Sequence, residues 1–287
     1  GEGARREGVG VLAVGAGTVG RGAALSGVVG AALARWVGGE VRGCGARVGQ
    51  YYRGRLGAAG SGGDTPSVVV AWNGPTESMT SMGGSVLPGL IVMSFEGRGV
   101  TSPQPEIVER SRWFIGHEGA HFWLGQTVRY AFADEAWITE GGADLMAVRA
   151  LKALDANYDD RAELQSEVDD CVNLARQPVA QAGARGEHRA YYACGAVFAL
   201  AAEGAQRQRT SGDWFDFLGP LLRQPDGVLS REEWLTALTR TSRDPSLRGD
   251  VERLLDQGAA DPSAVIARLF QRTGVAFRMI YGRVVLS

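Results

Sequence analysis

The chain has 287 residues, 45% of them hydrophobic and 22% charged. That suffices for one large domain or two modest ones around a buried core, and it excludes wholesale disorder. Thirty basic against thirty-two acidic side chains leave a formal charge of −2, which lacks the basic footprint of a nucleic-acid binder.

Residues 8–34 look at first like a membrane span, but Arg21 splits them into two glycine-rich pieces. A spanning helix needs about 20 predominantly apolar residues, so no membrane span is expected. Nor does the stretch read as an intact signal peptide, because the run continues past any plausible cleavage site. It contains Gly15-Ala16-Gly17-Thr18-Val19-Gly20, a G-x-G-x-x-G pattern of the kind that cradles a pyrophosphate. The nearest acid for a ribose, Glu40, follows Gly38-Gly39 rather than an apolar strand. With 42 glycines in the chain, a lone match of this kind is weak, and the stretch reads better as a strand and turn leading into a helix.

Residues 23–56 have helix-like spacing weakened by glycines. A turn at 57–64 leads to the β-branched run 67–72 (SVVVAW), and 87–95 (LPGLIVMSF) is a second strand that Pro88 pushes to a late start or to an edge. After a loop at 102–105, a helix is expected from Glu106 through the segment WFIGHEGAHFWL. Beyond Ile138 the pattern is almost wholly helical, with expected helices at 140–155, 161–176, 191–207 and 213–223. Ser230 to Glu233 is a capping box, and Asp261-Pro262 is a cap followed by a first-turn proline. The expectation is an α+β fold: an extension at 1–22, an α/β part at 23–150, and a helical part at 151–287. Cys44, Cys171 and Cys194 have no metal-ligand spacing and read as buried small side chains. A Cys171–Cys194 bridge is chemically possible but not legible.

Three histidines exist, and two form His117-Glu118-Gly119-Ala120-His121, an H-E-x-x-H motif. On a helix, residues four apart share a face, so both imidazoles project together as two ligands of a tetrahedral zinc. Glu118 stands beside them as a general base. Random placement of so few histidines rarely produces this pattern. Eighteen residues separate His121 from Glu140, the candidate third ligand, in Trp137-Ile-Thr-Glu-Gly-Gly-Ala-Asp144. Four residues further on, Asp144 shares the face of Glu140 and can accept the outer nitrogen of a ligand histidine. Trp113, Phe114, Phe122 and Trp123 flank the motif and read as core packing. His188 reads as a surface histidine.

HEGAH, eighteen residues, then WITEGGAD resembles the gluzincin zinc peptidases, in which a glutamate on the following helix completes the H-E-x-x-H site. The phrase Ile138-Thr-Glu-Gly141 most resembles the glycyl aminopeptidase family and related aminopeptidases. The resemblance spans residues 23–285 and is strongest over 111–223. It implies a thermolysin-like catalytic fold, one zinc ion, and a peptide or protein substrate. Tyr191-Tyr-Ala-Cys-Gly195 is similar to a family segment whose tyrosine steadies the tetrahedral intermediate, and Tyr192 is its positional match. No separate amino-terminal β domain or carboxy-terminal PDZ module is legible. Where the family carries a glutamate that grips a substrate amine, Gly83-Gly84-Ser85-Val86 has no acid before Glu96. The expected function is zinc-dependent peptide hydrolysis, aminopeptidase-like. The alternative is a zinc-stabilised, non-catalytic binding module derived from a peptidase.

Overall fold

The structure is a computed structural model that describes residues 18–21, 26–29, 33–60 and 67–287. Gly15, Ala16 and Gly17 of the glycine motif lie outside them, and Thr18, Val19 and Gly20 belong to a strand. Five strands form one sheet: β1 (Thr18–Arg21), β2 (Ser26–Val29), β3 (Ser67–Trp72), β4 (Ser81–Leu87) and β5 (Leu90–Glu96). Their order is β1-β2-β3-β5-β4. The β2–β3 and β3–β5 pairs are parallel, while β1 and β4 are antiparallel edges. Alternation puts Val68, Val70, Ile91, Met93 and Phe95 into the core. Phe95 meets Phe114 edge-to-face, with ring centroids 5.4 Å apart.

The structure corrects the expectation on one side of this sheet and meets it on the other. The helix expected from residue 23 begins only at Arg35, as α1 (Arg35–Leu56). Residues 26–29, SGVV, instead pair with β3, because β-branched side chains suit an extended ladder and the glycines lower helix propensity. The strand expected at 87–95 starts late, as Pro88 implied: β5 runs from Leu90, and Leu87 ends β4. Leu87 pairs with Leu90 across a Pro88-Gly89 turn, and Gly89 has φ of 70°, which glycine adopts at no steric cost.

The helical part holds α2 (Pro105–Ala120), α3 (Trp137–Leu154), α4 (Asp160–Leu174), α5 (Arg189–Thr210), α6 (Trp214–Leu221), α7 (Arg231–Ser242), α8 (Ser246–Asp256) and α9 (Pro262–Thr273). A hairpin of β6 (Phe277–Ile280) and β7 (Arg283–Leu286) closes the chain. Neither α8 nor this hairpin was legible in the sequence. The caps were: Ser230 and Glu233 form the reciprocal capping box of α7, and Asp261 accepts from the Ala264 N–H at the start of α9. Among the described residues no helix is long and apolar enough to cross a membrane.

α3 and α5 are central and buried along nearly their whole length. They approach through glycines: a Cβ at Gly141 would lie 2.0 Å from the Gly195 carbonyl carbon. Only glycine permits backbones that close, and the contact brings the start of α3 against the start of α5. Trp137 packs edge-to-face against Phe198 and Trp234, with ring centroids 5.5 and 5.1 Å apart. A Cys171–Cys194 disulfide joins α4 to α5, so these two are not the separate buried thiols of the sequence reading; Cys44 is buried and free. A loop of this length contributes about 3 kcal/mol by restricting the unfolded chain.

Candidate metal centre

His117 lies in the last turn of α2 and His121 caps the helix at its carboxy-terminal end. Both rings are buried. His117 Nδ1 donates to Asp144 Oδ1 at 2.7 Å, and His121 Nδ1 donates to the Leu124 carbonyl at 2.7 Å. A carbonyl only accepts, so the hydrogen of His121 sits on Nδ1; the Asp144 carboxylate fixes His117 in the same way. In the neutral rings each Nε2 therefore presents a lone pair, and the two atoms face each other at 3.0 Å.

Glu140, in the first turn of α3, completes a triangle. Its Oε2 is 3.5 Å from His117 Nε2 and 3.4 Å from His121 Nε2. Three electron-rich atoms at that range repel one another unless a cation stands among them. In a tetrahedral zinc site with bonds of about 2.0–2.2 Å, neighbouring donors lie about 3.3–3.6 Å apart. The observed triangle is close to that, slightly tighter between the histidines. The donor set of two imidazoles and one carboxylate fits zinc and leaves a fourth position free. Among the described residues this is the only cluster of three or more candidate ligands.

The charges at the site act strongly on one another. Burial alone would lower both histidine pKa values, but Asp144 and Glu140 outweigh it and raise His117 strongly and His121 as well. Glu140 moves the other way: burial would raise it, yet His121 and His117 hold it well below the usual carboxylate range. Glu118 is buried, and that burial raises its pKa against the lowering pull of His117 and His121. Tyr192 stacks on the His117 ring with centroids 5.6 Å apart. Burial and then the Glu140 charge raise the Tyr192 pKa, which keeps the phenol protonated at neutral pH.

No protein family and no curated protein matches the sequence. Solved structures match by shape. The M1 zinc metallopeptidase from Deinococcus radiodurans superposes with a TM-score of 0.53 at 19% identity, over 83% of this chain and 49% of its own. A mutant of an M1 zinc metallopeptidase from that organism, bound to a Tyr-Ser-Ala substrate, gives 0.53 at 17%, over 82% and 48%. Native yeast LTA4 hydrolase gives 0.61 at 14%, over 88% and 42%. In fold, this chain is similar to M1 zinc metallopeptidases. It spans about half the length of the structures it matches.

All six residues singled out in the sequence, His117, Glu118, His121, Glu140, Asp144 and Tyr192, gather at this one place. His188 is exposed at the start of α5. Three contributors escaped the sequence reading. The Leu124 carbonyl holds His121, and any residue offers a carbonyl, so no signal marked it. Trp113 stacks on His117 with centroids 5.4 Å apart; its position one turn before the motif was a signal, read only as core packing. Gly84 of the edge strand β4 lies directly against Glu118: a Cβ there would sit 2.0 Å from the Glu118 carboxyl carbon.

Proposed function

We propose that this chain is a zinc-dependent peptidase in which His117, His121 and Glu140 hold the ion. The observation that carries the reading is the triangle of donor atoms at 3.0–3.5 Å with both histidine Nδ1 atoms already committed elsewhere. When bound there, zinc supplies a Lewis acid that polarises a carbonyl and acidifies water. Glu118 accepts the proton of the attacking water and returns it to the departing amine, and its raised pKa suits both halves of that exchange. The Tyr192 hydroxyl donates to the carbonyl oxygen as charge develops on it. Asp144 keeps the His117 hydrogen on Nδ1 throughout. The peptide runs along β4, which among the described residues is an edge strand and whose Gly84 touches Glu118.

Glu118→Gln tests the roles. It keeps the shape and the metal ligands but removes the proton acceptor, so zinc content stays at one per chain while turnover of a mixed peptide panel falls by about 10²–10⁴. Turnover at the wild-type rate defeats the assignment. A wild-type chain that binds zinc yet cleaves nothing in the panel is instead the non-catalytic binding module. The aminopeptidase-like character is read with the same panel offered as free and as acetylated peptides. Cleavage confined to the free set supports it, and equal cleavage of both sets refutes it.

A further inference from the structure

Asp144 is completely buried and uses one oxygen, Oδ1, to accept from His117. Its Oδ2 is buried with no hydrogen-bond partner. A carboxylate in that state costs several kcal/mol unless a cation stands beside it. Arg189 is that cation. Its Nη1 is 4.0 Å from Asp144 Oδ2. Its other nitrogens are committed to α4: Nη2 donates to Glu167 Oε1 at 2.8 Å and Nε to Asp170 Oδ2 at 2.8 Å. Glu167 is itself buried, with its Oε2 unpartnered. One guanidinium thus faces acids from two helices and cannot swing to solvent without abandoning two of them in the interior.

We propose that Arg189 is a positioning residue for the candidate metal centre: held by Glu167 and Asp170, it fixes the Asp144 carboxylate that orients the His117 imidazole. This rests on the zinc reading above. Arg189 also opens α5, one turn before Tyr192, so the same hydrogen bonds seat the helix that carries the proposed oxyanion donor. Arginine suits the task because its planar fork presents separate nitrogens to separate acids, whereas the single ammonium of lysine cannot reach all three.

The test is the affinity of the full chain for zinc alone, titrated against a chromophoric competitor after chelator treatment, together with the visible spectrum of the cobalt-loaded protein. Partners of metal-binding histidines are worth 10–100-fold in affinity, so Arg189→Gln is expected to bind zinc about tenfold more weakly and to shift the cobalt spectrum. Arg189→Lys, which keeps the charge but not the fork, is expected to fall about threefold below wild type and to recover part of the spectrum. Should the glutamine variant fail to fold, the lysine variant carries the test unaided. An affinity within about twofold of wild type, or an unaltered cobalt spectrum, in whichever of the two folds overturns the proposal while leaving the metal reading intact. A wild-type chain that takes up no zinc overturns both.

Discussion

Gly84→Ala separates the position of Glu118 from everything else at the site. The added Cβ falls 2.0–2.1 Å from the carboxyl carbon and both oxygens of Glu118. Ordinary van der Waals contact begins near about 3.4 Å, so the carboxylate has to retreat by roughly 1.4 Å or β4 has to lift away. Glu118 ends in a flexible side chain and β4 is an edge strand, so the clash is relieved locally. Stability should change by less than about 1 kcal/mol, partly offset by the lower entropy of the unfolded chain. Metal content should stay at one zinc, because the atoms nearest the added methyl all belong to Glu118, which is not one of the three proposed ligands. Catalysis has no such tolerance, since misplacing a reacting group by about 1 Å can cost 10²-fold. We expect kcat to drop about 100-fold or more, measured on a fluorogenic peptide, with zinc quantified on the same samples. Gly83→Ala is the internal control. Its Cβ points to the other face of the strand and meets only Ser94 Oγ at 3.2 Å, so activity should hold. If Gly84→Ala turns over within about threefold of wild type, Glu118 is not held where the reasoning requires.

Further expectations follow from the same geometry. Tyr192→Phe removes one donor to a developing oxyanion and should lower kcat by about 10²–10³ with little change in KM; a pure KM effect would contradict the assigned role. Gly141→Ala drives a methyl into the α5 backbone, 2.0 Å from the Gly195 carbonyl carbon, and should cost about 3 kcal/mol in urea unfolding while weakening zinc retention; a loss below about 0.5 kcal/mol would mean that α3 and α5 do not meet so closely. Glu167 has its pKa raised from 4.5 to about 8, first by burial and then by Asp144, against the pull of Arg189. A carboxyl shifted upward in the folded state contributes stability below about pH 4.5 that is lost as pH climbs toward about 8. Glu167→Gln should therefore gain stability over wild type progressively across that window, by up to a few kcal/mol at fixed metal content. A stability difference independent of pH would rule this out.

The candidate ligand set was legible because its information is local. Spacing by four on a helix places His117 and His121 together whatever the rest of the chain does, and Asp144 follows Glu140 by the same rule. The caps at Ser230 and Asp261 are equally local, since a side-chain oxygen reaches an N–H only two or three residues away. Strand assignment was weaker where propensity and pairing disagree. Residues 26–29 became β2 because β3 lay ready to pair with them, and no short window of sequence records a neighbouring strand.

What the residues determined unaided was the chemistry on offer: two imidazoles and two glutamate carboxylates on two successive helices. Tertiary structure decided what that chemistry rests on. The Gly141–Gly195 contact sets Glu140 beside Tyr192, the edge strand sets Gly84 on Glu118, and Arg189 reaches Asp144 from 45 positions along the chain. Helical periodicity repeats every few residues and can be read from any stretch. Contacts between distant segments come from packing the whole core at once, and a single sequence carries no periodic mark of them.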